Sequence, residues 1–237
     1  MFKSISPEAS VLPLSLPDQR TAVGSTTCLI ILAFLLAVAA AFSLFIDLPV
    51  AQFIKTQALP RDLRTFVKLS EVFGWGGTVA MIILTATVLD ARGWRVIPGL
   101  AFCTFASGAL ANFVKQLVAR DRPSVADLSG PVSQTFVAWL PLLQEPMPAD
   151  RNGFQVQSFP SAHTATATGL AIGLSILYPR GRWLFAAFAV LAALQRMETQ
   201  AHFASDVFAG AALACLIAAW QVGARTRLRR SLKIDLA

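Results

Sequence analysis

Apolar residues gather into six runs along the chain, near 23–46, 72–89, 96–118, 162–178, 183–194 and 203–222, and the segments between them collect the charge. Runs of roughly 20 apolar residues are what a helix needs to cross a bilayer core. The pattern therefore predicts an all-α polytopic membrane protein, a bundle of six transmembrane helices over residues 23–222. The fifth run is short and spans only if its helix continues through Gln195 and Arg196 toward Ala201. The first run is too long for a signal-peptide core and is expected to remain as a helix. Residues 1–22, with Pro7, Pro13 and Pro17, read as a flexible cytoplasmic tail, and residues 223–237 as a basic cytoplasmic tail. In the mixed connection 47–71, residues 50–57 suit a short amphipathic helix along the membrane surface. The connection 119–159 holds five prolines and scattered charges. Loops of that length in a small bundle are functional or disordered as a rule, and a cap over a site is the expectation here. Gly169 and Gly173 in the fourth run are spaced for close helix approach.

Composition narrows the picture. Only 14% of residues are charged and 55% are apolar, against about 25% charged in ordinary soluble domains. That excludes disorder, a coiled coil and most cytosolic folds. The net charge of +7 gathers largely in the C-terminal segment, without the basic stripe and interleaved aromatics of a nucleic-acid binder. Cys28, Cys103 and Cys215 all lie inside apolar runs and read as buried free thiols. With six spans, 11 basic and four acidic residues share the side of both termini, while the other side has nine of each. The positive-inside rule then places both termini in the cytoplasm and the opposite rim outside a cell (cytoplasmic or inner) membrane.

Ionisable groups at membrane depth mark functional sites by default, and six converge on that outward rim: Lys115, Arg122, His163, Arg196, His202 and Asp206. Lys115 and Arg122, seven apart, would share a face if the helix continued, although Pro123 disfavours helix at Arg122. Pro160-Ser161-Ala162-His163 reads as a helix start with Ser161 as N-cap, where free amides and the dipole attract anions. His202 and Asp206, four apart, are placed to meet on a helix. Asp206 could then hold one ring nitrogen and leave the other as base or nucleophile. Arg196 joins them only if a turn falls between it and His202. Three cations, a helix N-terminus, two histidines and a carboxylate suit a phosphate-sized anion undergoing transfer.

Lys115-x6-Arg122-Pro123, Pro160-Ser161-Ala162-His163 and Arg196-x5-His202-x3-Asp206 resemble the three signature motifs of the type 2 phosphatidic acid phosphatase family, over residues 70–222. That family also includes vanadium haloperoxidases and bacterial membrane lipid phosphatases. Two positions depart from its pattern: Ala162 stands where glycine is usual, and Gln195 where serine is usual. The resemblance implies a bundle of that phosphatase/haloperoxidase type, with His202 as nucleophile, Asp206 as its orienter and His163 as acid to the leaving group. Lys115, Arg122, Ser161 and Arg196 would bind phosphoryl oxygens, without metal or other cofactor. The expected substrate is a lipid phosphate or diphosphate: phosphatidate, phosphatidylglycerol phosphate, a polyprenyl diphosphate or lipid A. Transfer of the phosphoryl group to another acceptor uses the same histidine and stays open. A facial triad for iron is disfavoured because the three cations would repel a divalent ion. A proton-coupled transporter would place its polar groups nearer the midplane.

Overall fold

The computed structural model describes residues 19–57, 59–141 and 153–234, so most of the N-terminal tail, the centre of the long connection and the last three residues lie outside it. Eight helices follow in order: α1 (Gln19–Ser43), α2 (Asp47–Thr56), α3 (Arg61–Leu69), α4 (Gly76–Leu89), α5 (Ile97–Lys115), α6 (Ala162–Leu177), α7 (Arg182–Glu198) and α8 (Ala204–Ile234). A 3-10 turn, Ser70–Phe73, joins α3 to α4, and another, Gly93–Val96, leads into α5. Each of the six apolar runs forms a helix, and most of residues 50–57 fall in α2.

Among the described residues three helices are long and apolar enough to cross a membrane: α1 from Gly24, α5 with the turn before it, and α8 as far as Leu228. A fourth crossing arises if Arg61–Phe73 and Gly76–Leu89, bent by 68°, count as one span. Six spans are expected from the sequence; among the described residues three helices, or four spans with the bent pair, have the length and apolarity to cross. α6 and α7 have 16 and 17 residues, roughly 24–26 Å at 1.5 Å per residue, short of a hydrocarbon core of about 30 Å. α7 does continue through Gln195 and Arg196, as a spanning role requires. The bundle is also not purely helical. β1 (Val118–Arg120) and β2 (Phe136–Trp139) pair antiparallel, with Val118 opposite Trp139 and Ala119 opposite Ala138. α1 starts ahead of the apolar run, and α8 carries on through the basic residues to Ile234, because arginine and leucine sustain a helix once it has begun.

α6 lies at the centre, against α5, α7 and α8, while α1 packs along α8. Ile30, Ile31, Phe34, Leu35 and Phe42 of α1 face outward, as lipid-facing side chains do. Cys103 and Cys215 are buried, whereas Cys28 is exposed on α1, which corrects the expectation for that thiol. In lipid, helix association depends on close packing rather than on hydrophobic burial, and small residues supply it. A Cβ on Gly169 would lie 2.4 Å from the Cys103 carbonyl oxygen, and one on Gly210 2.4 Å from that of Ser161. α8 is thereby seated on the first turn of α6. One end of the bundle gathers the C-termini of α5 and α7 with the N-termini of α6 and α8. At the other end, Asp90 accepts from Arg92 and Tyr178.

Gly169→Ala is expected to destabilise the folded protein by about 1–3 kcal/mol, because the backbone of α5 must move. Gly24→Ala, with nothing within 4 Å, is expected to be neutral or slightly stabilising. Thermal unfolding of both variants in detergent checks the difference.

Candidate active site

α5 ends at Lys115 rather than near Arg122, so these two cations do not share a helix face. From Val118 the chain is extended, and its backbone bonds run to the segment ahead of α6. The amides of Arg120 and Arg122 donate to Val156 and Gln155 carbonyls at 2.8 and 2.9 Å, and Ser158 N–H returns a bond to Arg120 at 3.0 Å. Both cations hold this same segment. Lys115 Nζ donates to the Gln157 carbonyl at 2.5 Å. Arg122 Nε donates to the Phe154 carbonyl at 2.9 Å, with its guanidinium over the Phe154 ring. Burial, then repulsion from Arg196, lowers the pKa of Arg122. A guanidinium nevertheless stays protonated.

Ser161 is the N-cap of α6. Its Oγ accepts from the Thr164 amide and hydroxyl at 3.3 and 3.0 Å, and its own N–H donates to the Asp206 carbonyl at 2.9 Å. Among the described residues the amides of Ala162 and His163 have no protein acceptor, as the first turn of a helix leaves them. Free amides at a helix start are able to receive an anion. His163, half-buried in that turn, lies in the field of Arg196, Glu71, Lys115 and Arg122. Arg196, in the last turn of α7, is separated from His202 by the turn at 199–203, as the motif spacing requires. Its carbonyl accepts from the amides of Ala201 and His202 at 3.1 and 3.2 Å, which fixes the backbone of His202 to that of Arg196.

His202 precedes α8 instead of lying on it, and this changes the expected pairing with Asp206. Nδ1 is 3.8 Å from Asp206 Oδ2, too far for a hydrogen bond, and 2.7 Å from the Ser158 carbonyl oxygen. A carbonyl can only accept, so Nδ1 carries the proton and the neutral ring keeps its lone pair on Nε2. Burial pulls the His202 pKa down to about 4 against the attraction of Asp206. The ring is therefore neutral across the physiological range. Asp206 receives Ser158 Oγ at 2.6 Å and the Phe203 amide at 2.8 Å on one oxygen. Its other oxygen takes Arg120 at 2.5 Å. Asp206 and the His202 ring thus share Ser158 as a neighbour, one bonded to its hydroxyl and the other to its carbonyl.

Arg120 was not among the residues the sequence singled out, and it is the most enclosed cation in the site. Fully buried, it donates to Asp206, to Ser205 Oγ at 2.7 Å, to Asp47 at 2.8 Å and to Thr135 Oγ1 at 3.1 Å. Phe136 and Phe203 flank its guanidinium, with centroids 4.6 and 4.3 Å away. Asp47 closes the network by accepting the Ser205 amide at 3.0 Å and the Ser205 hydroxyl. Ser158 and Glu71 were also unforeseen. Arg120 lies inside the first motif and Ser158 just ahead of the second, but nothing in the sequence names their partners. No three His, Cys, Asp or Glu side chains among the described residues gather to hold a metal ion.

Arg120→Ala leaves two buried carboxylates without their cation and is expected to cost about 3–5 kcal/mol. Arg120→Lys should recover little of it, since one ammonium cannot fork between Asp47 and Asp206. Chemical unfolding of both variants checks this.

Over 113 residues the chain is 33% identical to a lipid A 1-phosphatase of Rhizobium johnstonii, covering 48% of this chain and 41% of that protein. It is 33% identical over 106 residues to a lipid A 1-phosphatase of Rhizobium etli, covering 45% and 40%. The matched region thus spans about two fifths of the length of these relatives. Among solved structures, the fold resembles Aquifex aeolicus LpxE, with TM-score 0.57, 18% identity, and coverage of 75% of this chain and 95% of that one. It also resembles a phosphatidylglycerolphosphate phosphatase from Bacillus subtilis, with TM-score 0.50, 18% identity, and coverage of 87% and 96%. The PAP2 superfamily matches residues 98–230, more than half of the chain and all three motifs, and the protein belongs to that superfamily.

Proposed function

We propose that the protein is an integral membrane phosphatase that hydrolyses a lipid phosphate or diphosphate monoester through a phosphohistidine at the extracytoplasmic face. The observation that carries the proposal is the bond from His202 Nδ1–H to the Ser158 carbonyl, which makes Nε2 the nucleophilic atom. Nε2 attacks phosphorus while the bond from phosphorus to the lipid oxygen breaks, and His163 delivers a proton to that oxygen. A water then attacks phosphorus of the phosphohistidine, its proton going to His163 while the bond from phosphorus to Nε2 breaks, and inorganic phosphate leaves with the His202 ring restored. Lys115, Arg122, Arg196 and the amides at the start of α6 stabilise charge on the equatorial oxygens in both steps. Ser161 holds that first turn in place as its cap.

The rim position of the site supports a lipid substrate, since a headgroup sits there while its chains stay in the bilayer. The partial likeness to two lipid A 1-phosphatases makes a lipid A 1-phosphate the first substrate to test. Six crossings, both termini in the cytoplasm and the site outside complete the reading, with α6, α7 and the α3–α4 pair spanning locally thinned bilayer. Transfer of the phosphoryl group to a second acceptor would replace only the attacking water.

Purified protein in detergent should release phosphate from at least one of lipid A 1-phosphate, phosphatidate, phosphatidylglycerol phosphate and a polyprenyl diphosphate, equally well with a chelator present. His202→Ala should reduce turnover to background. Near-wild-type turnover in that variant, or loss of activity with chelator and recovery with metal, would contradict the proposal.

A further inference from the structure

Glu71 lies in the 3-10 turn between α3 and α4, in none of the three motifs, yet it closes a ring with two residues of α7. Arg196 Nη2 donates to Glu71 Oε1 at 2.6 Å, Arg196 Nε to Gln195 Oε1 at 2.5 Å, and Gln195 Nε2 to Glu71 Oε2 at 3.3 Å. Gln195, only 1% exposed, stands where the family usually has serine. The longer amide reaches the arginine with its oxygen and the carboxylate with its nitrogen. A lone ion pair at a half-exposed carboxylate contributes little. Here the carboxylate accepts from two side chains, one of them buried, and the guanidinium is held along one edge. Unheld, an arginine at the membrane rim extends toward water.

We infer that Glu71 is a positioning residue for Arg196: with Gln195 it fixes the Nε–Nη2 edge of the guanidinium and leaves Nη1 for the transferring phosphoryl group. The same turn reaches the other side of the site. A Cβ on Gly74 would lie 3.0 Å from the His163 carbonyl oxygen, and Glu71 is among the charges acting on the His163 ring. Arg196 also anchors the backbone of His202, so orientation imposed on Arg196 keeps cation and nucleophile in register. The inference rests on the phosphoryl-transfer reading of the site. It goes beyond that reading in assigning the Glu71–Gln195 pair the task of aiming one of its cations.

The test is a double-mutant cycle with two readouts: turnover on the best lipid phosphate, and affinity for orthovanadate, which adopts the five-coordinate geometry of a transferring phosphoryl group. Glu71→Ala should lower kcat/KM about tenfold, mainly through kcat, and weaken orthovanadate binding by a similar factor. In an Arg196→Ala background the same substitution should change either readout less than twofold. Glu71→Gln, which keeps an acceptor for Arg196, should stay within about threefold of wild type. Equal losses from Glu71→Ala in both backgrounds would reveal a general structural role and overturn the inference, as would a change below twofold in the wild type. A wild-type protein that hydrolyses none of the lipids, yet shows the coupling in orthovanadate affinity, would defeat the phosphatase reading and leave the positioning role standing.

Discussion

A fully buried guanidinium must have its charge answered on the spot, and Arg120 is answered by Asp47 and Asp206 from opposite ends of the chain. Either carboxylate alone would leave the cation with hydrogen-bonding capacity unspent in a medium that penalises it. The network is therefore an all-or-none arrangement, with Ser205 and Thr135 filling the remaining positions and two aromatic rings shutting out water. It ties the start of α2, the strand β1 and the start of α8 into one object. Because Arg120 sits on β1, its backbone also places Ser158, and Ser158 places the His202 ring. The tautomer of His202 is thus a consequence of where the Arg120 cation can be buried.

The bundle beneath this object obeys a different constraint. Surrounded by lipid, its helices gain little from hiding apolar surface and hold together through contact distance, which is why glycine and alanine occupy the faces of α6. Seating α8 on the first turn of α6 through Gly210 brings Asp206 against Ser161, so the second and third motifs meet backbone to backbone. The first turn of α6, with its free amides, is built at that junction. The three cations Lys115, Arg122 and Arg196 come from separate places, the end of α5, the segment just past β1 and the end of α7, and each is held by a carbonyl or carboxylate partner.

Much of this was legible in the order of residues. Apolar runs located the six main helices, and the three motifs identified both the superfamily and the end of the bundle where charges collect. The N-cap at Ser161 could be read because capping is local. What could not be read depends on partners distant in sequence. The spacing of His202 and Asp206 suggested a helical pair, but the helix starts at Ala204, and the ring turns to a carbonyl 44 residues earlier. Lys115 and Arg122 share a task without sharing a helix, because a strand of three residues, too short to show a period, replaces the expected continuation. α3 was hidden by its mixture of basic and apolar residues, and with it the role of Glu71. Arg120 stands in plain view between two recognised cations, yet only the fold shows that it faces inward to carboxylates while Lys115 and Arg122 attend the site.

The central claim is that the Ser158 carbonyl selects Nε2 of His202 as the atom that takes the phosphoryl group. The direct measurement is to mix the enzyme with a labelled lipid phosphate, quench in alkali to preserve phosphohistidine, and locate the label by mass spectrometry with isomer-resolved standards. The account predicts a single labelled residue, His202, modified at Nε2. Label on Nδ1 of His202, label on His163, or turnover with no labelled histidine would contradict it.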